Sequence, residues 1–211
     1  MRILLFVFIF AINIMAQSYG ISTSTGLGLE FDNTNTFDYS LYSSSVNMAS
    51  SSGENVYVQV LFNTPEYIYQ YYSDYARYAK LSKAKATLLI ERNFDYARRY
   101  LWFEVTIRAS HIEDLLINTN ECFVLENDQG ERVRPMVVGL GTLPRYNPME
   151  VDGQIYDFLP WEKTFSMKFP LDIINEETTS IVLKSICLHK ILGSWDITSQ
   201  LRSQYYLKKD E

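Results

Sequence analysis

Raw material for catalysis is scarce in this 211-residue chain, which holds two histidines and two cysteines. It has no H-E-x-x-H helix and no Cys-x-x-Cys pair, so a conventional zinc site lacks its ligands. The six methionines and two histidines form no copper-type cluster by spacing. No G-x-S-x-G elbow is present, and a serine triad would have to draw on His111 or His189. "GLGTLPR", from Gly139, lacks the Gly-Lys-Ser/Thr ending of a phosphate loop. "ENDQGE" fails as a calcium loop, because setting Gly130 at its sixth position puts Leu125 at its first. These absences lead us to expect a non-enzymatic protein with no metal and no cofactor.

Positive charge is also in short supply. With 19 basic against 25 acidic residues and no basic block, the chain is a poor partner for nucleic acid or anionic lipid. Long apolar runs are missing beyond the N-terminus, so no membrane span is expected after that point. The N-terminal run itself, Ile3 to Ala16, is apolar apart from Asn13, follows Arg2, and ends in the small-x-small triplet Ala16-Gln17-Ser18. Residues 1–18 therefore read as a secretory signal peptide, too short to cross a bilayer comfortably. No cysteine lies near the cleavage site to carry a lipid. The absence of any Asn-x-Ser/Thr sequon leans toward a bacterial envelope. In an oxidising compartment Cys122 and Cys187 permit one disulfide. Both also sit in apolar strand-like runs, where a buried free thiol is equally natural.

What is abundant is alternation and tyrosine. Residues 19–55 are rich in Ser, Thr, Asn and Gly and read as a flexible leader, with one short strand-like piece from Phe37. Residues 56–198 read as the folded domain and 199–211 as a polar tail. "VYVQVLF" and "YLWFEVTIR" alternate with period two. In the second, Leu101, Phe103, Val105 and Ile107 point inward, and Trp102, Glu104, Thr106 and Arg108 outward. "ATLLIER" reads as a strand paired with it. "SHIEDLL" opens with a Ser-x-x-Glu capping box. "ECFVLE" and "ERVRPMVV" flank a hairpin turn at Gly130. "KTFSMKF" is a further strand, "TSIVLKSICLHKIL" is the last, and "GSWDI" turns the chain into its tail. About seven strands with no βαβ rhythm predict a mainly β fold. The expected form is an antiparallel two-sheet sandwich of immunoglobulin-like size with an inserted helix.

That inserted helix starts at Thr64-Pro65-Glu66. At about 100° per residue, Tyr67, Tyr71, Tyr75 and Tyr78 form one stripe, continued by Ile68, Tyr72, Ala76 and Ala79. Such segregation predicts a face packed on the sheet, with Tyr69 left outside it. The segment from Gly139 to Pro160 has no periodicity yet carries apolar side chains, among them Tyr146, Met149, Ile155, Tyr156 and Phe158. A loop that long is either a cover for a sheet edge or a binding loop. For binding, Arg145, Tyr146 and Tyr156 are its recognition candidates. Glu150, Asp152 and Asp157 in the same loop would serve a glycan hydrolase. Together these features point to an extracytoplasmic binding or assembly protein, an accessory subunit with a protein partner in a bacterial envelope. An envelope glycan hydrolase and a carbohydrate-binding, lectin-like module are the alternatives.

Overall fold

The computed structural model describes residues 38–49, 55–115, 119–139, 141–147, 149–151, 154–156 and 159–205. The signal-peptide reading of residues 1–18 lies outside these residues. The period-two runs form strands as their alternation demands. β1 (Ser43–Ala49), β2 (Asn55–Phe62) and β3 (Leu101–Ala109) lie side by side and antiparallel. β4 (Phe123–Asn127), β5 (Arg132–Val133), β6 (Val137–Val138), β7 (Arg145–Tyr146), β8 (Met149–Val151) and β9 (Gln154–Tyr156) follow. The last three strands are β10 (Trp161–Phe169), β11 (Ser180–Ser185) and β12 (Lys190–Asp196).

The fold is mainly β. One sheet has the order β1-β2-β3-β10-β6, with β7 also on β10. A second has the order β12-β11-β4-β5, and β8 and β9 form a separate hairpin. Inward residues of both large sheets share one core. Val58, Val60, Phe103, Val105 and Met167 come from the first, and Phe123, Leu125, Ile181, Leu183 and Leu192 from the second. Phe103 is its centre, stacked on Phe62 at 4.6 Å and edge-on to Phe169 at 5.7 Å.

Three elements differ from the sequence expectation. "ATLLIER" is not a strand. It lies inside the helix Lys83–Ala97, whose buried residues Ala86, Ile90, Phe94 and Ala97 recur at helical spacing. The apolar run was too short to reveal its period by itself. The last predicted strand is instead a hairpin. The chain reverses between Ile186 and His189, where His189 takes a left-handed φ of 49°, and "GSWDI" completes β12 rather than turning away. Finally, the folded part reaches past both expected ends. β1 lies in the segment read as leader, where its residues Ser43 to Val46 fall in the strand-like piece expected from Phe37. At the other end a helix at Ser199–Ser203 brings Leu201, Gln204 and Tyr205 into buried positions.

The tyrosine helix, α1 (Pro65–Tyr78), begins as expected: Thr64 caps it by accepting the Tyr67 N–H at 3.1 Å. Its orientation is different. Its buried residues are Pro65, Tyr67, Ile68, Tyr69 and Ala76, whereas Tyr71, Tyr75 and Tyr78 are 47%, 49% and 73% exposed. The reason is the second helix, α2 (Lys83–Ala97), which the strand reading had removed. α1 packs on α2, and Tyr69 meets Phe94 edge-on at 6.1 Å.

The long segment after Gly139 does part of what an edge cover must do. Gly139 and Thr142 donate their N–H groups to the Ser166 and Thr164 carbonyls of β10, each at 2.8 Å. Gly141 passes so close to the strand that a Cβ there would sit 2.3 Å from the Thr164 carbonyl oxygen and 2.6 Å from the Phe165 Cβ. Gly141→Ala is therefore expected to cost about 1–3 kcal/mol, the usual penalty of forcing atoms into packed space. A denaturant midpoint unchanged from wild type would show that the loop does not lie this close.

Candidate functional site

Arg145 and Tyr146 lie side by side in β7, paired with β10, and Tyr156 lies in another strand pair. Arg145 spends its guanidinium on Glu162: Nε donates to Oε1 at 3.1 Å and a terminal nitrogen reaches the same oxygen at 2.5 Å. Arg108 and Asn147 hold the other carboxylate oxygen, at 2.5 and 3.1 Å. Burial works to raise the Glu162 carboxyl. The hydrogen bonds from Arg145 and Asn147 and the two guanidinium charges outweigh it and hold the group below the usual carboxylate range. This is a clamp that fixes β7 to β10. Tyr146 is exposed and lies edge-on to Trp161 at 5.6 Å. Tyr156 belongs to the separate β8–β9 hairpin, opposite Met149, and Glu150 pairs with Ile155 in the same hairpin. Asp152 and Asp157 lie outside the described residues.

Concavity is found elsewhere, on the outer face of the larger sheet. Strand register sets two rows there. Ser43 lies opposite Leu61, Leu61 opposite Glu104, and Glu104 opposite Ser166. In the next row Ser45, Gln59, Thr106 and Thr164 follow one another, and the two threonine hydroxyls hydrogen bond at 2.9 Å. Period-two pleating aims these side chains away from the core. Over them stand the start of α1 and the turn before β1. Tyr39 and Tyr67 meet at 5.5 Å with their planes at 86°, and Tyr42 approaches Tyr67 at 5.8 Å. The result is a pocket of about 330 Å³ lined by Tyr39, Ser40, Ser43, Gln59, Leu61, Tyr67, Glu104 and Thr106.

The tyrosine walls are braced from outside. The Tyr39 hydroxyl donates to Asp74, and the Tyr42 hydroxyl donates to Glu66 at 3.1 Å. Burial, with these carboxylates beside them, pushes both phenols far above the usual tyrosine value, so they stay neutral. Tyr71 stacks on Tyr67 at 6.2 Å and meets Tyr72 edge-on at 5.2 Å, which carries the aromatic surface along the helix.

Among the described lining residues Glu104 is the only acid. Its carboxylate makes no ion pair or hydrogen bond with another described residue, and cations on the same face of the sheet are committed elsewhere. Lys168, opposite Trp102, bonds the Tyr96 hydroxyl and lies 4.5 Å from the centre of that ring. Arg108 is bound to Glu162. Glu104 keeps an exposed side chain, and partial desolvation by the surrounding protein pushes its carboxyl above the usual glutamate range.

The stability consequence has a definite sign. The folded state holds the Glu104 proton more tightly than the unfolded chain does, so this group favours folding at acidic pH. That contribution fades as pH rises through the folded value. Glu104→Gln removes the charge but keeps the shape. It is expected to raise Tm at neutral pH, with the gain closing below about pH 4, where glutamates are protonated in either state. Thermal melts across pH test this, and a Tm lowered by the substitution at neutral pH would contradict it.

Sequence reading placed Glu104 and Thr106 correctly on the outward face of their strand but had no reason to single them out. Their partners Tyr39 and Tyr67 are 65 and 37 residues earlier in the chain. No periodicity connects a capped helix, a turn and two strands. No protein-family model matches this chain, and no curated protein or solved structure matches it.

Proposed function

We propose that the protein is a non-enzymatic binding protein of an extracytoplasmic compartment, and that its ligand site is the tyrosine-walled pocket above β2 and β3. One observation carries this reading. Among its described lining residues the pocket combines two aromatic walls, Tyr39 and Tyr67, with polar side chains and one carboxylate, Glu104. Ligand sites are concavities of this kind, largely preformed and with few polar groups. One carboxylate suits recognition, whereas glycoside hydrolysis by paired acids needs two. The two antiparallel layers, immunoglobulin-like in size, serve as its frame. The Cys122–Cys187 disulfide is compatible with an oxidising compartment, and no helix among the described residues is long and apolar enough to cross a membrane. A bacterial envelope setting and an accessory role beside a protein partner rest on the signal-peptide reading of residues 1–18 and the missing sequons.

Ser43 lines the pocket from the strand next to β2, so Ser43→Phe would fill it without touching the core. Thermal melts of wild type and this variant, against soluble peptidoglycan fragments, neutral oligosaccharides, amino acids and organic amines, test the reading. At least one class should raise the wild-type Tm and leave Ser43→Phe unmoved. No shift in wild type, or equal shifts in both, would reject the pocket as the site.

A further inference from the structure

Resting on the pocket as the ligand site, we infer that the ligand is an organic ammonium: a small cation whose charge sits beside Glu104 and whose carbon substituents pack into the corner where the Tyr39 and Tyr67 rings meet. Among the described residues no cation lines the pocket, and Arg77, near its Tyr39 wall, is paired with Asp74. The floor of the pocket carries a carboxylate without an ion pair to another described residue, and the sheet's own cations are tied to Tyr96 and to Glu162. Its walls are two tyrosine rings nearly at right angles, 5.5 Å apart. Aromatic faces attract cations through the ring quadrupole, more strongly where water is displaced, and rings meeting at a corner suit a compact alkylammonium. Two rivals fit less well. A metal ion is held best by several anionic donors, and among the described residues the lining offers one carboxylate. A neutral sugar would stack on a ring and hydrogen bond to Gln59, yet it would remove water from Glu104 without supplying the opposite charge, which costs free energy. An ammonium meets both demands at once. Its volume also fits, since a pocket of about 330 Å³ holds a headgroup of this class with room for a short chain.

The test is calorimetric titration of the full mature chain at neutral pH with four probes. Two are cations, choline and n-butylammonium. The third is 3,3-dimethylbutan-1-ol, which has the shape of choline without its charge, and the fourth is maltotriose, a neutral sugar. At least one cation should bind wild type, at least tenfold more weakly to Glu104→Gln, and again more weakly to Tyr39→Leu. The uncharged isostere should not bind measurably. If the isostere or the sugar binds as well as the cations, or Glu104→Gln binds the cations unchanged, the ammonium assignment fails while the pocket survives as a binding site. If neither cation binds wild type, the assignment fails as well. The broader reading then stands or falls separately, on the Ser43→Phe comparison. Because Glu104→Gln is expected to be more stable than wild type, loss of binding in it cannot be put down to unfolding.

Discussion

The Cys122→Ala, Cys187→Ala double variant should unfold with about 4 kcal/mol less stability than the oxidised protein, since the disulfide closes a span of 65 residues. The bond ties two points that already meet. Cys122 immediately precedes β4, Cys187 lies in the turn between β11 and β12, and the Ile186 N–H donates to the Cys122 carbonyl at 2.7 Å. Its effect therefore falls mainly on the unfolded chain, which loses freedom when a long loop is closed. For a domain of this size a loss of 4 kcal/mol corresponds to a fall in Tm on the order of 10 °C. Cys187 is exposed, so a reductant should reproduce the loss in wild type and change nothing in the double variant. A difference below about 1 kcal/mol would mean that the bond does not constrain the unfolded ensemble in the way loop closure requires.

Tyr69→Ala should be the most damaging truncation on the tyrosine helix. Tyr69 is 8% exposed and its ring meets Phe94 of the neighbouring helix, so its removal opens a cavity between α1 and α2. Loss of a buried ring costs about 3–5 kcal/mol, and the hydroxyl end of a tyrosine at the rim places this case near the lower value. Tyr78→Ala, by contrast, removes a ring that is 73% exposed and should stay within about 0.5 kcal/mol. Tyr71→Ala should lie between them, because that ring still touches Tyr67 and Tyr72. Urea midpoints of the three variants decide the order. A larger loss for Tyr71 than for Tyr69 would restore the orientation that the sequence pattern first implied.

The same helix shows where sequence reading reaches its limit. Two stripes fit the period of 3.6. One runs through Tyr67, Tyr71, Tyr75 and Tyr78. The other runs through Pro65, Ile68, Tyr69, Tyr72 and Ala76. Both are rich in rings, so amphipathicity alone does not choose between them. The choice falls to whatever packs against the helix, and that element was itself misread. In "ATLLIER" the seven residues are fewer than two helical turns. Only the wider spacing of Ala86, Ile90, Phe94 and Ala97 reveals the helix. Where one face of a strand was inward and the other outward, as in β2, β3 and β10, alternation was enough. It put Glu104 on the correct face. The pocket was beyond reach because it depends on strand register and on a turn at Tyr39 within a Ser-rich stretch. The loop residues chosen for their chemistry met another demand: Arg145 neutralises a buried carboxylate of the adjacent strand.

The aromatic surface therefore divides into two roles. Tyr69 is packing, and Tyr39 and Tyr67 are walls. The exposed rings of Tyr71, Tyr75 and Tyr78 extend the surface beyond the pocket.

The most direct measurement is the titration of Glu104 itself, followed through its carboxyl carbon by NMR in protein labelled at glutamate, with Glu104→Gln to assign the signal. In the free protein this carboxyl should titrate above the usual glutamate range, and saturation with choline or n-butylammonium should lower its pKa, because a cation seated beside it favours the charged form. A curve that is the same with and without the cations, or one already at the ordinary glutamate value in the free protein, would contradict an uncompensated carboxylate waiting for a positive ligand.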